Sequence, residues 1–446
     1  MPFKPESLLE ALLQWPVPTG YLVGFSGGLD SHVLLDALVS ILALLPAPIR
    51  AIHTDHGLQS VSPAWVAHCR SVCDSYQIPL VDCQLNVEPI KGESLEAVAR
   101  EARYQAFSET MLPGEMLLTA HHQDDQAETL LLQLMRGAGL SGLAAMPSFT
   151  TFATGSHARP LLDYPRAELE TYATSHGLKW IEDGSNQDCS FDRNYLRNEV
   201  MPLLKKRWPA LTRTVSRSAR HCAEADLLLA ELLEQQLETL LDPTDNTLAI
   251  DQLRTLPLHH SGPLLRAWIK GSDYKVPDTV VLKRIINEVV LARPDRTPLV
   301  SWSGVEVRRY RNKLYLQSPL ATFDSGLSLV WNGESSIELP AGLGTVEFRW
   351  NDDGRNRLLS HAPRFRVRFR QGGEWCRPLG RGVNKSLKQL LQEEGVLPWM
   401  RDRIPLLEID GEIAAIIGLC SCEPIESSND FKNLTTYWHS PLIWRQ

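Results

Sequence analysis

Ser26-Gly27-Gly28-Leu29-Asp30-Ser31 lies between an apolar run, residues 21–25, and the helically spaced Val33, Leu34, Leu35 and Leu38. Two consecutive glycines between a strand and a helix let the backbone turn with its N–H groups inward, and the helix N-terminus behind them adds partial positive charge. That arrangement is a phosphate cradle. Its candidate contacts are Ser26, Gly27, Gly28, Leu29, Asp30 and Ser31. A nucleotide loop of the Gly-Lys-Ser/Thr kind places a lysine at its end, whereas this one ends Leu-Asp-Ser, which disfavours attack at a terminal phosphate. The plain structural alternative is a glycine turn with a Ser/Asp helix cap.

A second cluster is His121-His122-Gln123-Asp124-Asp125-Gln126-Ala127-Glu128. On a helix, His121 and Asp125 are four apart, as are Asp124 and Glu128, so a histidine and three carboxylates are expected to converge near the helix start. Such groups could hold Mg²⁺ through one or two carboxylates, or serve as a general base. Acids complementing the helix dipole would account for the same residues without chemistry. His53-Thr54-Asp55-His56-Gly57 ends another apolar run, where a tight reversal would put backbone groups beside a nucleotide's base while Asp55 could bind metal or ribose; it is equally an ordinary turn. Arg100, Arg103 and Arg136 are candidates to neutralise a transferring phosphoryl group. Asn186, Arg193, Asn194 and Arg197 cluster after a turn and could reach substrate.

The elements that must position these residues alternate. Strands are expected over 21–25, 49–53, 79–85 and 116–120, with helices over 64–76, 94–111 and 167–176. This rhythm predicts an α/β fold: an N-terminal doubly wound, mostly parallel sheet with ligands at the carboxyl ends of its strands, where the three candidate clusters fall. An acidic, leucine-rich helix over 223–241 opens a mainly helical middle domain, short strands follow over 301–316, and a Gly/Ser/Pro-interrupted stretch, 318–344, precedes a small α+β C-terminal domain. The expected boundaries are 1–215, 216–320 and 330–446.

A chain of 446 residues is too long for one core. It lacks a signal-peptide pattern at its start and any apolar run of membrane-spanning length, so a cytoplasmic location is expected. Eight scattered cysteines form no Cys-x-x-Cys zinc framework. The net charge of −8 argues against a nucleic-acid binder, but its distribution argues the other way. Residues 191–220 carry eight bases against two acids, and 357–403 carry eleven against four. Within the second stretch, Arg364, Arg366, Arg368 and Arg370 alternate with apolar residues, as one face of a strand would. With Arg377, Arg381 and Lys385 downstream, such a ladder suits a phosphate backbone better than a core, because like charges repel.

The motifs also resemble a known family. SGGLDS at 26–31, HTDHGL at 53–58, AHHQDDQAETLLLQLMRGAGLSGLAAM at 120–146, EDGSNQDCSFDRNYLRNEVMPLL at 182–204 and the stretch 368–407 are similar to tRNA(Ile)-lysidine synthetases of the ATP-pyrophosphatase (PP-loop) superfamily, with an adenine nucleotide alpha hydrolase-like fold. Gln59 stands where that family more often carries arginine. The resemblance implies an ATP- and Mg²⁺-dependent ligase, in which Asp30 and Asp125 could position the Mg²⁺. It would adenylate the wobble cytidine of the CAU-anticodon isoleucine tRNA, then join free L-lysine to C2, giving lysidine, AMP and pyrophosphate. Asp30, Arg100, His121, Asp124, Asp125, Glu128 and Arg136 would be catalytic; Ser26 to Ser31, His53 and Asp55 would hold nucleotide; Arg193, Arg197, Arg364, Arg366, Arg368, Arg370, Arg377, Arg381 and Lys385 would touch tRNA. His121, Asp124 or Glu128 could take the proton that lysine must lose. The rival readings are a tRNA thiolation enzyme, which the absent Cys-x-x-Cys pairs oppose, and a non-catalytic tRNA binder. Oligomeric state stays open, a homodimer included.

Overall fold

A computed structural model describes residues 3–55, 62–85, 95–293, 295–350, 365–380, 382–423 and 434–445. His56, Gly57, Gln59, Arg364 and Arg381, and the side chain of Asn186, lie outside the described residues. The chain forms two compact units, residues 1–230 and 231–446.

In the first unit, β1 (Tyr21–Gly24), β2 (Ile49–Asp55), β3 (Leu80–Gln84), β4 (Met116–Leu118), β5 (Phe149–Phe152) and β6 (Gly155–Ala158) make one sheet of order β3-β2-β1-β4-β6-β5. All neighbours are parallel except β5, which returns antiparallel beside β6. The doubly wound, mostly parallel sheet expected from the alternating pattern is present. Why β1 reads as an unbroken apolar run follows from burial on both faces. Tyr21, Val23 and Phe25 join the core beneath helix α2 (Leu29–Ser40), while Leu22 packs with Ile52, Phe107, Met111 and Leu117 on the other side. Successive strands run outward from β1 in opposite directions, to β2 on one flank and β4 on the other, so a crevice opens at the carboxyl ends of β1 and β4.

Helix α5 (Gln123–Met135) begins two residues later than a helix containing His121 requires. His122 is its N-cap: Asp125 N donates to His122 Nδ1 at 3.3 Å and His122 N donates to Asp125 Oδ2 at 3.1 Å, a reciprocal box with histidine in the place usually taken by serine or threonine. The basic stretch after residue 191 folds as helical turns Asp192–Tyr195, a π-helical turn Leu196–Val200, and Met201–Arg207. Leu196 and Met201 pack on Ala127 of α5. The leucine-rich helix starts at Leu211, so Arg213, Arg217 and Arg220 belong to it.

In the second unit, strands Leu248–Ala249, Leu299–Trp302, Val305–Tyr310 and Lys313–Gln317 form an antiparallel sheet against helices Ile250–Thr255, Leu258–Gly271 and Thr279–Arg284, around Leu264, Leu265, Trp268, Val300, Val307 and Leu314. The Gly/Ser/Pro-interrupted stretch, read as the boundary to the last domain, supplies strands Ser328–Val330 and Ser336–Glu338. The first pairs with Phe365–Phe369 and the second with Thr345–Trp350, so the C-terminal sheets begin before residue 330. Tyr310 and Tyr315 are buried in the same cluster as Phe369, Leu391 and Met400, which is why 231–446 holds together as one unit.

Candidate active site

Each side chain of the glycine loop has a local task. Ser31 Oγ donates to Gly28 O at 3.0 Å and accepts from Ser26 N at 3.2 Å, closing the loop on itself. Trp65 Nε1 donates to Ser26 O at 2.6 Å, and His53 Nδ1 lies 2.9 Å from Phe25 O. Gly27 has φ +76°, and a Cβ there would stand 2.8 Å from both Cys69 Sγ and Trp65 Nε1. Only glycine fits. Leu29 faces the core, so its contribution to a ligand is its backbone. Gly28 caps α2 with no side-chain acceptor, leaving the first N–H groups of that helix for an anion.

Asp30, in the first turn of α2, points at His122: Oδ2 is 3.7 Å from Nε2. The same Nε2 is 3.3 Å from Asp125 Oδ2, so one imidazole stands between the two carboxylates. Asp30 Oδ1 is buried without a hydrogen-bond partner among the described residues, with Arg166 Nε 3.9 Å away. Burial pushes the Asp30 carboxyl up, with Asp125 adding to it and His122, Arg166 and Arg197 pulling back. Asp125 is treated oppositely: burial alone would raise it, but His122, Arg193, His121 and Arg197 together hold it well below the carboxylate range.

Arg193 and Arg197, expected to grip tRNA, instead face inward. Arg193 Nη2 is 3.0 Å from Asp125 Oδ1 and its Nε 3.1 Å from Glu128 Oε2; Arg197 Nη2 is 2.7 Å from Asp125 Oδ1 and its Nε 2.7 Å from Glu128 Oε1. Glu128 is only 2% exposed. Asp124 turns to a different set of partners: it pairs with Lys205 and accepts the Arg166 backbone N–H at 2.9 Å, capping the helix Arg166–Ser175. The four acidic and histidine groups therefore do not converge as one cluster. Asp125 and Glu128 share the arginines, Asp124 joins the neighbouring helix, and His121 precedes α5 altogether.

Arg100 lies over the Tyr104 ring at 5.1 Å and is close enough to act on the charge of His121. Arg136 is exposed beyond the far end of α5, about 16 Å along the helix from Asp125; the structure does not bring it to the loop. Asp55 ends β2, half-buried. The sequence reading assigned no role to Arg166, Lys205, Trp65, Thr119, His157 or Arg159. Thr119 lies two residues before His121 but is an uncharged residue at a strand end, and the others are brought in by a crossover or by a later helix.

In the second unit, Phe365, Val367 and Phe369 are buried while Arg366 is exposed, as alternation requires. Arg368 is not part of an open ladder: it pairs with Glu408 on the adjacent strand and, at 3.2 Å, with Glu374. Arg370 lies 2.6 Å from Asp402, Arg377 3.0 Å from Glu423, and Lys385 2.7 Å from Glu393. The repulsion expected of stacked arginines is relieved by carboxylates distant in sequence.

Sheet, glycine loop and carboxylate–arginine pairs define the first unit as a nucleotide-binding PP-loop fold, and a PP-loop domain profile matches residues 5–204. Profiles described as a TilS substrate binding domain and a TilS substrate C-terminal domain match 248–315 and 365–438. The chain is 40% identical to a tRNA(Ile)-lysidine synthase of Coxiella burnetii, over 96% of this chain and 95% of that one. It is 43% identical to another from Methylococcus capsulatus, over 89% and 91%. The chain belongs to the tRNA(Ile)-lysidine synthase family. A solved U34-tRNA thiolase of Methanococcus maripaludis superposes with a TM-score of 0.42 at 18% identity, over 49% of this chain and 78% of that one. No helix among the described residues is long and apolar enough to cross a membrane.

Proposed function

We propose that the protein joins free L-lysine to C2 of the wobble cytidine of a CAU-anticodon isoleucine tRNA at the expense of ATP. The cytosine O2 attacks the α-phosphorus of ATP, an O–P bond forms, and pyrophosphate leaves. The lysine ε-amine then attacks C2, loses a proton, and the C2–O bond breaks to release AMP. The carrying observation, alongside family membership, is Asp30: a buried carboxylate oxygen with no hydrogen-bond partner among the described residues, inside a glycine loop that lacks the lysine of a kinase-type loop.

In this reading the uncapped N–H groups of α2, with Ser26 and Ser31, hold the departing pyrophosphate. Among the described residues no three His, Cys, Asp or Glu side chains make a metal cage. The donors fit Mg²⁺ bound through Asp30, with Asp125 beside it, and otherwise through phosphate oxygens. When bound, that ion would neutralise charge on the leaving group. Arg193 and Arg197, held in place by Asp125 and Glu128, would present guanidinium groups of fixed orientation to the nucleotide side of the crevice. Arg366, with Arg377 and Lys385, would meet tRNA phosphates from the second unit.

The test is mass spectrometry of nucleosides from CAU-anticodon isoleucine tRNA after incubation with protein, ATP, Mg²⁺ and isotopically labelled lysine. Label in a modified cytidine is the expected result. AMP and pyrophosphate without label would redirect the reading to a sulfur nucleophile, and no turnover would favour a tRNA binder.

A further inference from the structure

Beyond β4 a chain of buried polar groups ends at His121. Arg159 Nη2 is 3.2 Å from His157 Nδ1, His157 Nε2 is 2.8 Å from Thr119 Oγ1, and Thr119 Oγ1 is 2.9 Å from His121 Nδ1. His157, Thr119 and Arg159 are 1%, 7% and 7% exposed, so water does not complete the network for them. Arg159 is itself tied to Pro147 O at 2.7 Å.

One arrangement of the hydrogens in this chain leaves none of them unpaired between Arg159 and His121. A guanidinium only donates, so His157 Nδ1 accepts. Burial, reinforced by Arg159 and Arg100, moves the His157 pKa down to about 3, so this ring is neutral and carries its one hydrogen on Nε2. It therefore donates to Thr119 Oγ1. Among the described residues the only other group within reach of the Thr119 hydroxyl is His121 Nδ1, so its hydrogen is paired when that nitrogen accepts. Burial, with Arg159, Arg100 and Arg193 outweighing Asp125, keeps His121 neutral as well. Its hydrogen is on Nε2, and among the described residues that nitrogen has no hydrogen-bond partner.

We propose that Arg159, His157 and Thr119 are positioning residues that lock His121 as its Nε2–H tautomer. His121 then serves as a fixed hydrogen-bond donor to an anionic oxygen of the bound nucleotide, and not as the proton acceptor for lysine. The inference rests on the nucleotide-transfer reading above, but its first half, the tautomer, does not. A basic Nδ1 is unavailable because Thr119 occupies it, and Nε2 already holds a proton. A donor aimed by a rigid network stabilises charge that develops in the transition state, a contribution worth about 10²- to 10³-fold in rate.

Two measurements test it. In ligand-free protein labelled with ¹⁵N-histidine, two-bond ¹H–¹⁵N correlation is expected to show His121 protonated on Nε2 alone, and Thr119→Val to give a tautomer mixture at His121. A dominant Nδ1–H form would overturn the proposal whatever the protein's reaction. In pyrophosphate release with tRNA and ATP, His121→Gln places an amide N–H near the lost Nε2–H. It is expected to keep activity within about tenfold of wild type, whereas His121→Ala loses about 10²-fold or more. Equal loss in Gln and Ala variants would sink the donor role. If the wild-type protein releases no pyrophosphate, the proposed function fails while the spectroscopic arm still decides the tautomer.

Discussion

Arg197 meets Glu128 side-on, Nε 2.7 Å from Oε1 and Nη2 2.7 Å from Oε2, while the same Nη2 lies 2.7 Å from Asp125 Oδ1. Arg193, one turn earlier, holds the same two carboxylates. Four charges from two distant helical segments thus neutralise one another at the mouth of the glycine loop. Taking out one arginine leaves buried anions short of a partner. Arg197→Met is expected to destabilise the first unit by about 2 kcal/mol, the cost of breaking a buried pair reduced for the third of Arg197 that solvent reaches. Urea unfolding followed by a probe within residues 1–230 measures it. An unchanged midpoint would mean that Arg193 alone satisfies both carboxylates.

Gly27→Ala tests the loop geometry. The left-handed φ of +76° costs an alanine about 1–2 kcal/mol, and its Cβ would press on Cys69 Sγ and Trp65 Nε1 at 2.8 Å. The loop must open to relieve the contact. We expect ATP affinity to fall at least tenfold, read by titration calorimetry. Cys69→Ala in the same background should recover only part of it, because Trp65 still blocks the site. Full recovery would show that the thiol contact, and not the backbone, sets the requirement.

Two neighbouring arginines of one strand should behave differently. Arg366 is exposed and makes no ion pair among the described residues, whereas Arg368 is bonded to Glu408 and Glu374. Arg366→Ala is expected to weaken tRNA binding and lower the salt slope by about one, leaving thermal stability alone. Arg368→Ala should lower the melting temperature of the second unit, since it strands two carboxylates. Binding assays at several salt concentrations, beside melting curves, separate the two. Equal loss of tRNA affinity without a stability change would return Arg368 to the phosphate-contact reading.

How much of this was legible in the sequence depended on the range of the interaction that decided it. Strand and helix periodicity is local, so the parallel sheet and the loop after β1 could be read directly. The exposed/buried alternation of Arg366 to Phe369 is local too. What those arginines bond to is not, because Glu408 arrives from a strand forty residues away and Asp125 meets Arg197 across seventy. The same limit applies to His121. Helical spacing grouped it with Asp125, but a histidine N-cap at His122 starts the helix later and leaves His121 bonded to Thr119. Histidine is an uncommon cap, so residue type gave no warning. The strands inside the boundary region 318–344 escaped notice for a related reason: short edge strands flanked by Gly, Ser and Pro look like loop until their partners are known.

Asp30→Asn should stabilise the fold while abolishing the reaction. Its carboxyl is raised in the folded protein by burial, so the ionised form is disfavoured there relative to the unfolded chain, where an aspartate titrates near about 3.9. Below that pH both states are protonated and the penalty vanishes. As pH rises through the folded value the penalty grows to its full size, and it is present at neutral pH. Asparagine removes the charge and keeps the shape. The variant is therefore expected to melt higher than wild type at pH 7, with the difference shrinking as pH falls toward 4, and to release no pyrophosphate. ATP with Mg²⁺ should raise the melting temperature of wild type and leave the variant unmoved, because the carboxylate that disfavours the empty fold is the one proposed to hold the ion. A variant that melts lower at pH 7 would show that His122 and Arg166 favour the charged form by more than burial opposes it.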